Sequence, residues 1–98
     1  MYKPLPNFLT INKSPIHGIG LFALEDISKG TDLGRSHFVL LDEFIRTPLG
    51  GFVNHSDNPN VRIKREKGTN FFHLLVIDDI KAGTELTAKY NYKANNYR

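Results

Sequence analysis

Cysteine is absent from this chain of 98 residues. The absence excludes disulfide bonds and metal sites built from thiolates, including every cysteine-based zinc cluster. Long apolar runs are missing too, because the longest one, Phe71 to Ile77, is interrupted by His73 and is far too short to span a membrane. The residues after Lys3 lack the apolar stretch of a secretory signal. We therefore expect a cytoplasmic protein without contact to a membrane.

The chain also has no large excess of charge of one sign, since the formal net charge is only +3. Four basic residues, Arg62, Lys64, Arg65 and Lys67, nevertheless lie close together. A surface for nucleic acid is one interpretation, but no aromatic residue is interleaved with them, as binding of single strands would require. We interpret them as the solvated face of a strand, and nucleic acid is not an expected partner.

Helical periodicity is the third feature that the sequence lacks. Short apolar segments are instead separated by Gly, Pro and Asn, which predicts a mostly β fold of short strands in small sheets. The length allows one domain, which we assign to residues 1–98. A hairpin turn is predicted over residues 66–70, and a short helical turn over residues 42–46. The predicted strands are Phe8 to Ile11, Leu21 to Leu24, His37 to Leu41, Val61 to Arg65 and Phe71 to Ile77.

The sequence contains one internal repeat. Residues 24–33 and 77–86 share Asp, Ile, Gly, Thr and Leu at equal spacing. Each copy is typical of a strand, a turn and a second strand, in which the aspartate can bond the backbone of the turn and the glycine easily adopts a positive φ. The same turn could have arisen twice by chance, but two related β units are the better explanation. The isoleucine and the final leucine of each copy should be buried.

Three segments carry residues suited to binding or chemistry. The first contains Gly18-Ile19-Gly20, where the lack of a Cβ lets a ligand approach the backbone, although such a pair is often only a turn. The second, residues 50–60, holds three Asn, one His and one Ser around a proline, which predicts irregular backbone. The third, residues 83–92, places Tyr90 and Tyr92 on one face if the chain is extended. Taken singly, each segment also has an ordinary structural explanation.

In this order the three segments resemble the SET domain of protein lysine methyltransferases. The family pattern is G-x-G, then N-H-S-x-x-P-N, then E-L-T-x-x-Y, and this chain has Gly18 to Gly20, Asn54 to Asn60 and Glu85 to Tyr90. The resemblance implies a β-clip-like fold in which the last two motifs meet in a knot-like crossing near the C-terminus. It also implies methyl transfer from S-adenosylmethionine to the ε-amine of an accessible lysine in a protein substrate. The product would be S-adenosylhomocysteine, and no metal would be needed.

The resemblance further implies roles for individual residues. Tyr90 would be the catalytic tyrosine beside the transferred methyl group. Tyr92, Ser36 and His37 would line the channel for the lysine side chain, with Ser36 or His37 at the position where many family members have a second tyrosine. Glu85 would anchor the crossing rather than take part in catalysis. The residues that would bind the cofactor are Gly18, Ile19, Gly20, Phe52, Asn54, His55 and Tyr90.

Two departures from the family pattern leave alternatives open. The segment between Leu33 and Thr47 is shorter than the insert that shapes the peptide groove in the family, and a cysteine-rich tail has no counterpart here. Residues 92–98 could cover the site, with Tyr97 as the lid, or a second copy could complete it in a homodimer. The alternative to an active enzyme is a binding module that kept the fold and lost catalysis.

Overall fold

A computed structural model describes residues 5–90, and within this range the chain forms strands and one short helix. The prediction of a mostly β fold is therefore confirmed. The helix among these residues is neither long nor apolar enough to cross a membrane. The elements are β1 (Leu9–Lys13), β2 (Ile19–Ala23), β3 (Asp32–Leu40), β4 (Glu43–Arg46), α1 (Pro48–Gly51), β5 (Asn54–His55), β6 (Val61–Arg65), β7 (Phe71–Val76) and β8 (Glu85–Ala88).

The strands form two four-stranded sheets, with the orders β1-β2-β8-β5 and β4-β3-β7-β6. Side chains alternate between core and solvent, as in β6, where Val61 and Ile63 are buried while Arg62 and Lys64 are exposed. Neighbouring strands are antiparallel except β5 and β8, which run in the same direction. This parallel pair joins the middle of the chain to the last described strand.

Each predicted strand is present in the structure, but most of them begin or end at residues other than the predicted ones. Strand β6 has the predicted bounds, and β7 ends one residue earlier than predicted. Residues 37–40 of the predicted strand His37 to Leu41 are the end of a longer strand, β3, which starts at Asp32, and Leu41 lies in the turn that follows. The register of β3 against β7 shifts between Asp32 and Gly34 and again between Arg35 and His37. Such bulges break the alternation of apolar and polar residues, so the first half of β3 does not look like a strand in the sequence.

Apolar side chains from both sheets and from α1 pack into one core. Burial of these side chains is the main favourable contribution to the stability of so short a chain. Three polar residues, Ser36, His37 and Thr87, are buried with them. The apolar core residues are Leu9, Leu21, Ala23, Ile27, Leu33, Leu49, Val53, Val61, Ile63, Phe72, Leu74, Val76, Ile80, Leu86 and Ala88.

The prediction of a helical turn over Asp42 to Arg46 is wrong. Glu43–Arg46 is strand β4, which pairs with β3 through a two-residue turn of Leu41 and Asp42. Both turn residues have positive φ, 49° and 66°, as a tight hairpin requires. Gly, Asn or Asp usually occupies such positions, and a leucine in the first one does not indicate a hairpin.

Two short elements lie outside the predictions. Helix α1 begins with Pro48, a residue that suits the first turn of a helix, but four residues are too few to show a helical period. Asn54 and His55 form strand β5, although the composition of their segment predicts irregular backbone throughout. Only these two residues pair with β8, and the rest of the segment up to Asn60 is irregular.

The two copies of the repeat pair with each other. Ile27 and Ile80 exchange backbone hydrogen bonds of 2.8 Å in both directions, and both side chains are buried. The final leucines, Leu33 and Leu86, are buried as predicted. The repeat therefore corresponds to two related β units that face each other.

Candidate functional site

The three segments singled out in the sequence meet on neighbouring strands. The Gly18–Gly20 segment leads into β2, Asn54 and His55 form β5, and β8 lies between these two strands. Leu86 of β8 is opposite Leu21 of β2, and the next residue, Thr87, is opposite Asn54. The expectation that the last two motifs come together is confirmed.

A cluster of hydrogen bonds at Ser14, Asn54 and Glu85 ties the three segments together. Ser14 Oγ lies 2.9 and 2.8 Å from the two carboxylate oxygens of Glu85. Asn54 Nδ2 donates to Glu85 Oε2 at 2.9 Å and lies 3.1 Å from Ser14 Oγ. The same amide nitrogen donates to the carbonyl oxygen of His17 at 3.0 Å. Because the Glu85 carboxylate accepts from two other segments, it anchors their crossing, as the resemblance implies.

The glycine segment takes its shape from this cluster. The amides of the two residues before Gly18 donate to Ser14 Oγ at 3.0 and 3.3 Å, and the Ser14 amide donates to the Gly18 carbonyl at 2.8 Å. A Cβ on Gly20 would collide with the Glu85 carboxylate and would push it away from its hydrogen-bond partners. Gly18 has a φ of +47° and open space where a Cβ would lie. Ile19, between the glycines, is half exposed.

Asn60 fastens the irregular part of the middle segment to β8. Its Nδ2 donates to the Glu85 carbonyl at 2.9 Å, and its Oδ1 accepts from the Thr87 amide at 2.9 Å. The amide of Ser56 donates to the carbonyl of Ala88 at 3.0 Å. The segment therefore follows β8 on a fixed path although only two of its residues form a strand.

Tyr90 is held from both its backbone and its hydroxyl group. The hydroxyl donates to the Val53 carbonyl at 2.9 Å and lies 3.4 Å from the Gly50 carbonyl. The backbone amide of Tyr90 donates to His55 Nδ1 at 2.9 Å. A neutral His55 therefore carries its proton on Nε2, which lies 3.3 Å from Asp57 Oδ1.

Ser36 and His37 are both completely buried, and His37 lies beside Tyr90. The ring of His37 stacks on Phe44 with centroids 4.6 Å apart, and its centroid lies 6.0 Å from that of Tyr90 in an edge-on arrangement. Burial lowers the pKa of His37 to about 4, and the charge of Arg46 adds to the shift, so the ring is neutral at neutral pH. The structure places both residues in the core rather than at an exposed surface, and their contact with a substrate stays a prediction.

The structure brings most of the predicted site residues to one place. The glycine segment, Asn54 and His55 surround the cluster, and Tyr90 contacts His55. Phe52 is half-buried and packs against the core. Tyr92 and the proposed lid of residues 92–98 lie outside the described residues. Among residues 5–90, no group of three or more His, Asp and Glu side chains has an arrangement that could hold a metal ion.

Three contributors to the site lie outside the sequence predictions. Ser14 connects all three segments, and the carbonyls of Gly50 and Val53 face the hydroxyl of Tyr90. A serine before a proline and a glycine turn is a signal for a side chain that bonds the following amides, and this signal could have identified Ser14. The sequence contains no comparable signal for a backbone carbonyl, because every residue has one and its direction depends on the fold.

Comparison with known proteins gives the following similarities. The family model described as the SET domain matches residues 36–91. A candidate histone methyltransferase of Plasmodium falciparum has a similar fold, with a TM-score of 0.75 and 21% identity over 91% of this chain and 97% of that one. The methyltransferase domain of human PR domain-containing protein 2 has a TM-score of 0.70 and 16% identity over 91% of this chain and 80% of that one. No curated protein matches this chain.

A humanized mutant of Polycomb Repressive Complex 2 from Chaetomium thermophilum, bound to the inhibitor GSK126, also contains a similar fold. Its TM-score is 0.72, with 24% identity over 87% of this chain, which spans only 15% of that much longer one. At these identities the solved structures establish a shared fold only. The family model, in contrast, matches the sequence itself over more than half of the chain.

Proposed function

This chain belongs to the SET domain family, and we propose on that premise that it transfers a methyl group from S-adenosylmethionine to the ε-amine of a lysine in a protein. The observation that carries the proposal is the cluster of Ser14, Asn54 and Glu85, which joins the glycine segment, the middle segment and the last strand. These segments lie far apart in the sequence, and their meeting creates a site that none of them could form alone.

The surroundings of the cluster suit a cofactor that has both polar and apolar parts. Gly18 leaves open space, and Ile16 before it and Ile19 after it present exposed apolar surface. Asn54 and His55 are half-buried and contribute polar groups. When bound, S-adenosylmethionine supplies a methyl group on a positively charged sulfur. The residues proposed to hold it are Gly18, Ile19, Gly20, Phe52, Asn54, His55 and Tyr90.

Tyr90 is proposed to orient the reacting groups rather than to take up a proton. Its hydroxyl donates to the Val53 carbonyl, which fixes the direction of the O–H bond. The hydroxyl oxygen has acceptor capacity, and weak C–H···O contacts with a polarised methyl group use that capacity. A tyrosine with its ordinary pKa of about 10 holds its proton at neutral pH, so it is a poor base.

The substrate lysine must lose a proton before it can attack, because the pKa of a lysine in water is about 10.4. Removal of water and a nearby positive charge both lower that pKa. Arg46 supplies such a charge, since its guanidinium carbon lies 5.2 Å from the centre of the Tyr90 ring. Alignment of the neutral amine with the methyl carbon is then the main contribution of the site to the rate.

Calorimetry with S-adenosylmethionine and S-adenosylhomocysteine tests the cofactor site without knowledge of the substrate. We expect saturable binding, and we expect Asn54→Ala to weaken it about fivefold or more, since the loss of hydrogen bonds that hold the glycine segment costs at least about 1 kcal/mol. Asn58→Ala is the matched control, because this exposed side chain lies in the same segment but outside the cluster. Absence of binding by the folded wild-type protein at millimolar ligand would refute the proposal.

Methyl transfer itself is tested with tritiated S-adenosylmethionine and core histones as the lysine-rich acceptor. Tyr90→Phe should lower the rate while it keeps the affinity for S-adenosylhomocysteine, because only the hydroxyl is lost. Cofactor binding without transfer to histones or to proteins of a cell extract would favour the binding module that lost catalysis. A cytoplasmic location and a homodimer that completes the site stay predictions.

A further inference from the structure

Strand β6 ends the sheet β4-β3-β7-β6, so only one side of its backbone pairs with β7. In an antiparallel pair, residues that exchange hydrogen bonds with the partner strand alternate with residues that do not. Just beyond the two ends of β6, the Asn60 carbonyl and the Glu66 amide bond the chain of β7 or the residue after it, at 3.0 and 2.9 Å. Arg62 and Lys64 are in phase with these two residues and therefore bond β7 as well.

The free edge of β6 is formed by the backbone groups of Ile63 and Arg65, which alternate with the bonded residues and point away from β7. No backbone hydrogen bond joins these groups to another part of residues 5–90. An edge with unpaired N–H and C=O groups is a template for a further strand. Proteins use such edges to bind extended segments of other proteins, with main-chain bonds for affinity and alternate side chains for specificity.

Basic side chains line this edge on the outer face of the sheet. Arg62 and Lys64 are exposed and point away from the core, and the exposed Lys67 follows in the hairpin turn. Within residues 5–90, none of the three forms an ion pair. Two copies of such an edge repel each other, so these charges disfavour pairing of the chain with itself. The same charges attract a strand whose side chains on that face are acidic.

A cavity lies beside β6 on each face of the sheet. The outer one, of about 300 Å³, is lined by Lys64 and Lys67 among others. Its two carboxylates, Asp32 and Glu66, lie 3.0 and 2.9 Å from the ring nitrogens of His73. Because these carboxylates are engaged with the histidine, the lysines provide the charge that a ligand meets on this face.

The inner cavity, of about 220 Å³, is mainly apolar. Its lining includes Pro59, Val61, Ile63 and Ile77. Side chains of a strand added to β6 would alternate between the two faces. Those on the inner face would meet apolar residues, and those on the outer face would meet Arg62 and the lysines. The edge therefore fits a segment in which apolar and acidic residues alternate.

We propose that the free edge of β6 binds an extended segment of another protein, in which acidic and apolar residues alternate, as an added antiparallel strand. The antiparallel direction continues the pairing of β3, β4, β6 and β7. Asn54 and Glu85 of the proposed methyl-transfer site belong to the other sheet. Binding at β6 needs no cofactor, so this inference and the proposed function succeed or fail separately.

Fluorescence anisotropy with a labelled peptide of alternating glutamate and valine tests the binding. We expect saturable binding at physiological ionic strength, and a peptide of alternating lysine and valine should bind about tenfold more weakly or not at all. Arg62→Glu combined with Lys64→Glu should reverse this preference by a similar factor, since two attractions become repulsions. Lys13→Glu combined with Lys29→Glu changes the net charge equally at exposed positions outside β6 and should keep the preference. No binding of the glutamate peptide at millimolar concentration, or an equal loss in both double variants, would overturn the proposal.

Amide hydrogen exchange distinguishes an added strand from mere attraction of charges. On saturation with the glutamate peptide, the amides of Ile63 and Arg65 should exchange about tenfold more slowly or less, because they gain acceptors. The amides of Arg62 and Lys64 already bond β7 and should change little. Equal slowing of all four amides, or of none, would show that no strand is added.

Backbone methylation of the peptide provides a second measurement that needs no variant of the protein. In an antiparallel pair, residues that exchange hydrogen bonds lie directly opposite each other and point to the same face. The valines on the inner face would thus bond Ile63 and Arg65. N-methylation of the valines should weaken binding about tenfold or more, whereas N-methylation of the glutamates should have a smaller effect. Equal affinity of the two methylated peptides would contradict the proposed pairing.

Nucleic acid is the other ligand that this basic edge could attract. We expect single-stranded oligothymidylate to bind more weakly than the glutamate peptide at the same ionic strength, because aromatic side chains for base stacking are missing from β6. Tighter binding of the oligonucleotide, lost when Arg62 and Lys64 are both replaced by glutamate, would overturn the proposal and assign the edge to nucleic acid.

Discussion

Asp26 and Asp79 each accept a hydrogen bond from the turn of the other repeat. Asp26 Oδ1 lies 2.9 Å from the amide nitrogen of Ala82, and Asp79 Oδ1 lies 2.8 Å from that of Lys29. The two aspartates occupy the same position in the two copies of the repeat, so the exchange is symmetric. The expectation that each aspartate bonds its own turn is corrected, because the two turns hold each other.

Replacement of either aspartate should destabilise the fold. We expect Asp26→Ala and Asp79→Ala each to lower the free energy of unfolding by about 1 kcal/mol, the usual contribution of one hydrogen bond. Asp78→Ala, at an adjacent exposed position with no side-chain hydrogen bond within residues 5–90, is the control and should change it little. Urea denaturation measures all three. A loss as large in the control would show that the negative charge, not the bond to the turn, is what matters.

Two adjacent glycines should respond oppositely to an added methyl group. A Cβ on Gly50 would collide with the backbone carbonyl of Ser36, whereas Gly51 has nothing within 4 Å of that position. Gly50→Ala should therefore lower the free energy of unfolding by about 1–3 kcal/mol. Gly51→Ala should leave it unchanged or raise it by up to about 1 kcal/mol, because alanine favours a helix. Similar thermal unfolding of the two variants would contradict the close packing of α1 against β3.

The β3–β4 hairpin contains strain that a substitution should relieve. Leu41 has a φ of 49° and is 90% exposed, so its side chain gains little from packing. Asparagine tolerates this conformation better, and Leu41→Asn should raise the free energy of unfolding by about 1 kcal/mol. Leu40→Asn, at the neighbouring exposed leucine, should give no such gain. Equal effects in urea denaturation would mean that removal of exposed apolar surface, rather than relief of strain, is responsible.

His73 should make stability fall as the pH rises above neutrality. Its Nδ1 lies 3.0 Å from Asp32 Oδ2, and its Nε2 lies 2.9 Å from Glu66 Oε2. Partial burial opposes the charged ring, but the hydrogen bonds and charges of Asp32 and Glu66 outweigh it and raise the pKa of His73. The stabilisation is thus complete below the unfolded pKa of about 6.5 and is lost as the pH rises through the higher folded pKa.

The free energy of unfolding of the wild type, measured between pH 6 and pH 9, should show this decline. His73→Gln should remove it, whereas His17→Gln, at an exposed position, should retain it. Glu66 stays ionised over this range, because its hydrogen bond with Arg35, followed by that with His73, lowers the pKa of Glu66 to about 2. A decline that persists in the His73 variant would assign the pH dependence to another group.

Much of the sheet structure could be predicted because its signal is local. The alternation in Val61 to Arg65 and the apolar run from Phe71 reveal β6 and β7, since burial on one face of a strand repeats every second residue. The turn at Leu41 could not be predicted, because its conformation is imposed by the pairing of β3 with β4 and not by its own residues. Tertiary pairing similarly overrides the irregular composition of Asn54 and His55.

The motif residues of the site could be predicted, whereas the contacts that unite them could not. Asn54, Glu85 and Tyr90 follow from the resemblance, because their types and spacing are specific. The bonds of Ser14 to Glu85 and of Tyr90 to the Val53 carbonyl depend on how distant strands are placed. Nothing in the spacing of residues along the chain contains that information.

The central position of β8 in its sheet has a kinetic consequence. This strand is the last one described along the chain, yet it lies between β2 and β5 and carries Glu85, which holds the early glycine segment. Contacts between such distant parts of a chain form slowly, because a long loop must close before they stabilise anything. The site should therefore be among the last regions to become ordered during refolding, and a chain that has folded only in part should be unable to recognise its ligand.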